Sequence, residues 1–102
     1  ALWGPSDDAI FAVGVEGTIL FFNGSTWEPM QGGGLKTLTA VWGPAFNDVY
    51  ASSFEGDILH FDGVLWTQMF SDQDTNFWGL WGSSANDIIG IGDRGRILRL
   101  TK

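Results

Sequence analysis

The sequence predicts an all-β chain of four-stranded antiparallel meanders set in tandem. Three observations carry this: a repeat without gaps, a glycine-rich and aromatic-rich composition, and turn signals at short regular spacing. Leu2-Trp3-Gly4 returns as Val41-Trp42-Gly43 and again as Leu80-Trp81-Gly82, so Trp3, Trp42 and Trp81 stand 39 residues apart. Segments 2–40, 41–79 and 80–102 then align without insertion, as repeats within one segment spanning 1–102. Gly17, Gly56 and Gly95 recur, as do Ile19, Ile58 and Ile97, and Leu20, Leu59 and Leu98. The first two copies also share Phe22/Phe61, Gly24/Gly63, Trp27/Trp66 and Met30/Met69.

Each copy reads as strands A to D. Strand A is Leu38–Trp42 and its equivalents. A turn follows at 5–8, 44–47 and 83–86, rich in the Asn and Asp whose side chains bond nearby amides. Strand B is Ile10–Val13, Val49–Ser52 and Ile88–Ile91. The hairpins Glu16-Gly17, Glu55-Gly56 and Arg94-Gly95 place glycine where a positive φ is needed. Strand C is Thr18–Phe22, Asp57–Phe61 and Arg96–Leu100, and Asn23-Gly24 or Asp62-Gly63 turns the chain into strand D, Trp27–Gln31 or Trp66–Phe70. Strands B and C are apolar on both faces, as expected for sheets sandwiched between sheets; strand D is more polar, and Pro29 fits only an edge. No segment keeps a helical period. Four-stranded units at a period near 40 are the blades of a β-propeller.

The pattern of Trp-Gly, turn, Asp-Val-Tyr-Ala, then Glu-Gly-Asp-Ile-Leu-His-Phe-Asp-Gly with a following Trp resembles bacterial propeller repeats. It resembles the photosystem-II-assembly-factor type and the neuraminidase-like Asp-box type. A complete Asp box, Ser-x-Asp-x-Gly-x-Thr-Trp, is absent from the sequence. The resemblance implies the fold, bacterial origin and an extracellular or periplasmic setting; it does not imply one activity, because propellers host many.

Composition excludes several function classes. The chain has 102 residues, 12 acidic and 5 basic side chains, and a net charge of −7. That balance repels phosphate backbones and argues against nucleic acid. There is no Cys, hence no disulfide or thiol chemistry. No apolar run is long enough for a membrane-spanning helix.

Nothing in the sequence forms a recognisable catalytic set. His60 is the single His and reads as a solvent-facing strand residue; Tyr50 aligns with Phe11 and Ile89 and reads as core. Glu16 and Glu55 sit on equivalent hairpins, the place where paired carboxylates could converge, but exposed turn residues also stand there. Ser71-Asp72-Gln73-Asp74 offers two carboxylates without the glycine and distant acid of a calcium loop. No metal and no cofactor are expected.

Binding is the better-supported class. Trp3, Trp42, Trp81, Trp27 and Trp66 recur with the repeat and are expected between blades, with Gly17, Gly56 and Gly95 as structural turns. Trp78 stands alone, with Thr39 as its equivalent, beside an acidic loop. The expected ligand face therefore carries Glu16, Glu55, Arg94, Asp72, Asp74 and Trp78, on the B–C and D–A loops. The chain reads as a non-catalytic binding or assembly module; a sugar-binding propeller and a fragment of a hydrolase ring are the alternatives. Two full copies plus strands A to C of a third leave about 2.75 blades with an apolar face at each end. The expected remedy is head-to-tail homo-oligomerisation, two chains giving six blades. Carbohydrate or protein is the further partner class.

Overall fold

The structure is a computed structural model that describes residues 1–32, 34, 36–72, 75–84 and 87–101, with position 101 by main chain alone. Three antiparallel sheets follow one another along the chain at the spacing of the repeat, the second and third starting three residues before the repeat boundaries at 41 and 80. Blade 1 holds β1 (Leu2–Ser6), β2 (Ala9–Val13), β3 (Ile19–Phe22) and β4 (Trp27–Met30), paired in that order. Blade 2 holds β5 (Leu38–Ala45), β6 (Asp48–Ser53), β7 (Asp57–Phe61) and β8 (Trp66–Ser71). Blade 3 holds β9 (Phe77–Ser84), β10 (Asp87–Gly92) and β11 (Ile97–Thr101). The predicted propeller blades are thus present. No helix among the described residues is long and apolar enough to cross a membrane.

The strands differ from expectation mainly at strand A. It does not stop at Trp-Gly: β5 runs on to Ala45 across a bulge between Trp42 and Ala45, and Ala45 pairs with Asp48. The A–B turn shrinks to its central pair, Asp7-Asp8 or Phe46-Asn47; Ala85-Asn86 of the third turn lies outside the described residues. The C–D turn also shifts. Asn23 and Asp62 precede the reversal, and their carbonyl or carboxylate oxygens accept the next free amides. Asn23 Oδ1 takes the N–H of Ser25 and Thr26 at 3.0 Å; Asp62 Oδ1 takes Val64 and Leu65 at 2.8 Å. The Leu65 and then the Val64 amide hold the Asp62 carboxyl below the usual range. Pro29 sits on the edge strand β4, opposite Leu20.

Strand alternation sends neighbouring residues to opposite faces, and blade 2 buries both. Its back face, with Val49, Ala51, Leu59, Phe61 and Trp66, closes on Phe11, Val13 and Ile19 of blade 1. Its front face, with Tyr50 and Ile58, closes on Phe77 and Ile88 of blade 3, with Trp42, Leu80 and Leu98 packed alongside. Each large side chain buried this way contributes roughly 1.5–3 kcal/mol. His60 belongs to this second seam and not to solvent: it is half-buried, its ring stacks on Tyr50 at 4.6 Å, and Nε2 lies 2.7 Å from Asp48 Oδ1. The front of blade 2 faces blade 3, and that is why the single His is covered.

The same repeat positions are exposed on the outer faces. Trp66, in a seam, is 7% exposed, whereas its equivalent Trp27 on the back of blade 1 is 46% exposed. Ile58 is 0% exposed and its equivalent Ile97, on the front of blade 3, is 72% exposed.

The glycine of the Trp-Gly signature is close-packed in every copy: a Cβ on Gly4 or Gly43 would meet the Ala9 or Asp48 carbonyl of its own blade, and at Gly82 the contact crosses a seam. The Trp42 indole lies against Gly82, where an added Cβ would overlap three ring carbons. Gly82→Ala is expected to lower unfolding free energy by about 1–3 kcal/mol in a urea titration, because Trp42 must leave its slot. Gly79→Ala, whose Cβ would meet open space, should change it by less than about 1 kcal/mol.

Candidate functional site

The B–C hairpins and D–A segments lie on one side of the blades and are stitched to each other by main-chain bonds. Phe54 N–H donates to Thr37 O at 2.9 Å, and the equivalent Asp93 N–H donates to Asn76 O at 3.0 Å. Leu38 N–H donates to Gly14 O, and Asp72 N–H to Gly56 O, both at 2.9 Å. This side therefore collects the residues expected to face a ligand. Asp74 lies outside the described residues.

The three hairpins are not copies of one another. Glu16 (φ 56) and Arg94 (φ 60) take the left-handed conformation, each followed by a positive-φ glycine, Gly17 or Gly95. Such two-residue turns prefer Asn or Gly at the first position, so Glu and Arg are held there at a cost. In blade 2 the turn closes one residue earlier, with Gly56 N–H on Ser53 O at 3.4 Å, so Phe54 and Glu55 are its central pair. Buried Ser53 secures it by accepting the Asp57 N–H on Oγ at 2.9 Å. Gly56 is pressed against the Asp72 carbonyl, where no Cβ fits.

This altered turn presents Phe54, 40% exposed, beside Trp78, 52% exposed. The two rings meet edge to face at 5.1 Å across the seam between blades 2 and 3. The Trp78 indole N–H donates to Asp93 Oδ1, and Asn76 Nδ2 donates to Asp93 Oδ2 at 2.8 Å. Those two donors, the indole first, hold the Asp93 carboxyl below the usual range, and the Arg94 charge adds to them. Trp78 is thus pinned by its polar edge and leaves ring surface open.

The other predicted residues have distinct settings. Asp72 pairs with Arg96 Nη1 at 3.0 Å and accepts Thr75 Oγ1 at 3.1 Å, bracing the D–A segment. Glu55 is exposed, and its carbonyl meets Lys36 Nζ at 3.5 Å. Lys36 also pairs with Asp57 Oδ2 at 3.1 Å. Glu16 is exposed one blade away. The structure therefore brings together Trp78, the Glu55 and Arg94 hairpins and Asp72, and leaves Glu16 at the margin. Sequence reasoning missed Phe54 and Asp93; the available signal was that Val15, Phe54 and Asp93, at one repeat position, share no side-chain chemistry. No group of three or more His, Cys, Asp or Glu among the described residues could hold a metal.

Glu16→Asn and Arg94→Asn are each expected to raise stability by about 1 kcal/mol in urea, relieving the left-handed strain. Glu55→Asn, outside that conformation, should give no such gain.

No protein-family model matches the chain, and no curated protein matches it. Among solved structures it is similar to YCF48 bound to D1 peptide, with a TM-score of 0.80 and 21% sequence identity. The match covers 100% of this chain and 36% of that one, so the chain spans about a third of its neighbour's length. The resemblance expected from the repeats is met in the fold: this chain is a run of β-propeller blades, similar in structure to part of YCF48.

Proposed function

We propose that this chain is a non-catalytic β-propeller module for binding and assembly, with its ligand on the hairpin face. The observation that carries the reading is the exposed Phe54–Trp78 pair spanning a blade seam, with Trp78 pinned by Asp93. Exposed, pre-oriented aromatics of this kind serve as anchors for a partner. Glu55, Arg94 and Asp72 frame the pair, and Glu16 extends the face. The ligand class is a protein segment, a choice supported by the peptide bound to YCF48 in the similar structure. Carbohydrate is the second reading, favoured by the open face of Trp78 next to a carboxylate. In this reading the ring is completed by head-to-tail homo-oligomerisation, two copies supplying six blades.

An arrayed library of short peptides and a glycan array, probed in parallel, test the site. Peptide hits should weaken at least about tenfold with Phe54→Ala or Trp78→Ala while unfolding curves stay within about 1 kcal/mol, since both side chains are exposed. Reproducible glycan hits with a silent peptide array would replace the protein reading by the lectin one. Turnover on a glycosidase substrate panel would sink the non-catalytic assignment. Light scattering at micromolar concentration should give about twice 11.1 kDa; a folded monomer would refute ring closure.

A further inference from the structure

We propose that the front of blade 3 mates with the back of blade 1 of a second copy in the register of the internal seams, with Arg99 meeting Asp7. The proposal rests on the ring closure above and names the contacts that close it.

The internal seams supply the template. In the seam between blades 1 and 2, Phe11 on the front faces Phe61 and Trp66 on the back, at 5.8 and 6.2 Å between ring centroids. On the outer faces the matching positions are Ile89, two repeats on from Phe11, on the front of blade 3, and Phe22 and Trp27, one repeat before Phe61 and Trp66, on the back of blade 1. In the seam between blades 2 and 3, Trp42 lies on Gly82. The matching residues at the outer faces are Trp81, 56% exposed, and Gly4, whose neighbour Leu2 is also exposed. Each outer face thus carries half of an interface that the same chain already forms internally. An apolar surface of that kind is covered by its complement, and a second copy offers it.

The charged residues supply the direction and the register. In the first seam Phe21 on the front and Phe46, Phe61 and Gly63 on the back line one apolar cavity of about 170 Å3. The repeat equivalent of Phe21 on the outer front face is Arg99, and that of Phe46 on the outer back face is Asp7. An apolar pair inside the chain thus becomes a complementary cation and anion across the outer contact. Arg99 is also positioned for the role. Asp87 accepts from its Nε at 2.7 Å and from Nη2 at 2.9 Å, fixing the guanidinium plane on the front of blade 3. Nη1 and one Nη2 hydrogen remain for a second carboxylate. Asp7 lies in the exposed A–B turn of blade 1, so a second copy can reach it.

A charge swap tests the register, and the mass of the unaltered chain is its control. Asp7→Arg and Arg99→Glu should each weaken self-association about tenfold or more, because like charges then face each other in the contact. Mixing the two variants should restore it, since every contact in a mixed pair joins opposite charges. Circular dichroism checks that each variant is folded. Loss of association in both variants without restoration on mixing would overturn the Arg99–Asp7 contact. In a second arm, Ile89→Cys chains are mixed with Phe22→Cys chains and treated with a bismaleimide spanning the roughly 10 Å between packed sheets. The parent sequence has no Cys. A crosslinked dimer from the mixture, absent from either variant alone, is expected. An assembled wild type without that crosslink would overturn the register while leaving ring closure standing. A monomeric wild type would overturn both.

Discussion

Everything in this molecule depends on sheets packing face to face. A single four-stranded meander cannot bury its apolar side chains, because each strand points them alternately to both faces. Blade 2 shows the solution: Val49 goes one way into the first seam and Tyr50 goes the other way into the second. Removing either neighbour would leave half of its apolar residues in water. The repeat is therefore a packing device before it is anything else, and at Gly82 the indole of Trp42 in one blade rests on the backbone of the next.

Several polar residues in and beside the second seam are paired as they are buried, whereas the Trp66 indole N–H in the first seam is buried without a hydrogen-bond partner among the described residues. His60 enters the second seam only with Asp48 at its Nε2 and Tyr50 against its ring. Thr39 crosses the same seam by donating to the Phe77 carbonyl. Ser53, fully buried, spends its hydroxyl on the Asp57 amide. A buried group without such a partner would cost more than a hydrogen bond returns; the Thr39–Phe77 bond ties blade 2 to blade 3, while the His60 and Ser53 pairings hold blade 2 itself.

The hairpin face is freer. It sits outside the seams, so departures from the repeat carry little packing penalty there. The early closure at Ser53 in blade 2, the left-handed Glu16 and Arg94, and the non-repeated Phe54 and Trp78 all occur on this side. A scaffold that is rigid below and variable above is a common arrangement for recognition surfaces.

The blades were legible in the periodicity alone: recurrent Trp, Gly, Ile and Leu carry the strand order and the assignment of Tyr50, Trp42 and Trp66 to packing, while Trp27 and Trp81 lie on outer faces and are exposed. The sequence also singled out Trp78, since a residue that breaks a repeat is visible without coordinates. Strand ends were less legible. The bulge that carries β5 to Ala45 is a backbone irregularity without a residue signature, and the Asn and Asp before the C–D reversal act through side-chain oxygens that mimic a turn carbonyl. The pairing of Phe54 with Trp78 was beyond reach because the two lie in different repeats and meet only when blade 2 stacks on blade 3. The same holds for His60. Its alternation placed it on one face of a strand, and the stacking of blade 3 on blade 2 makes that face a seam. Local periodicity encodes which side a residue points to; what stands on that side is a long-range fact of packing.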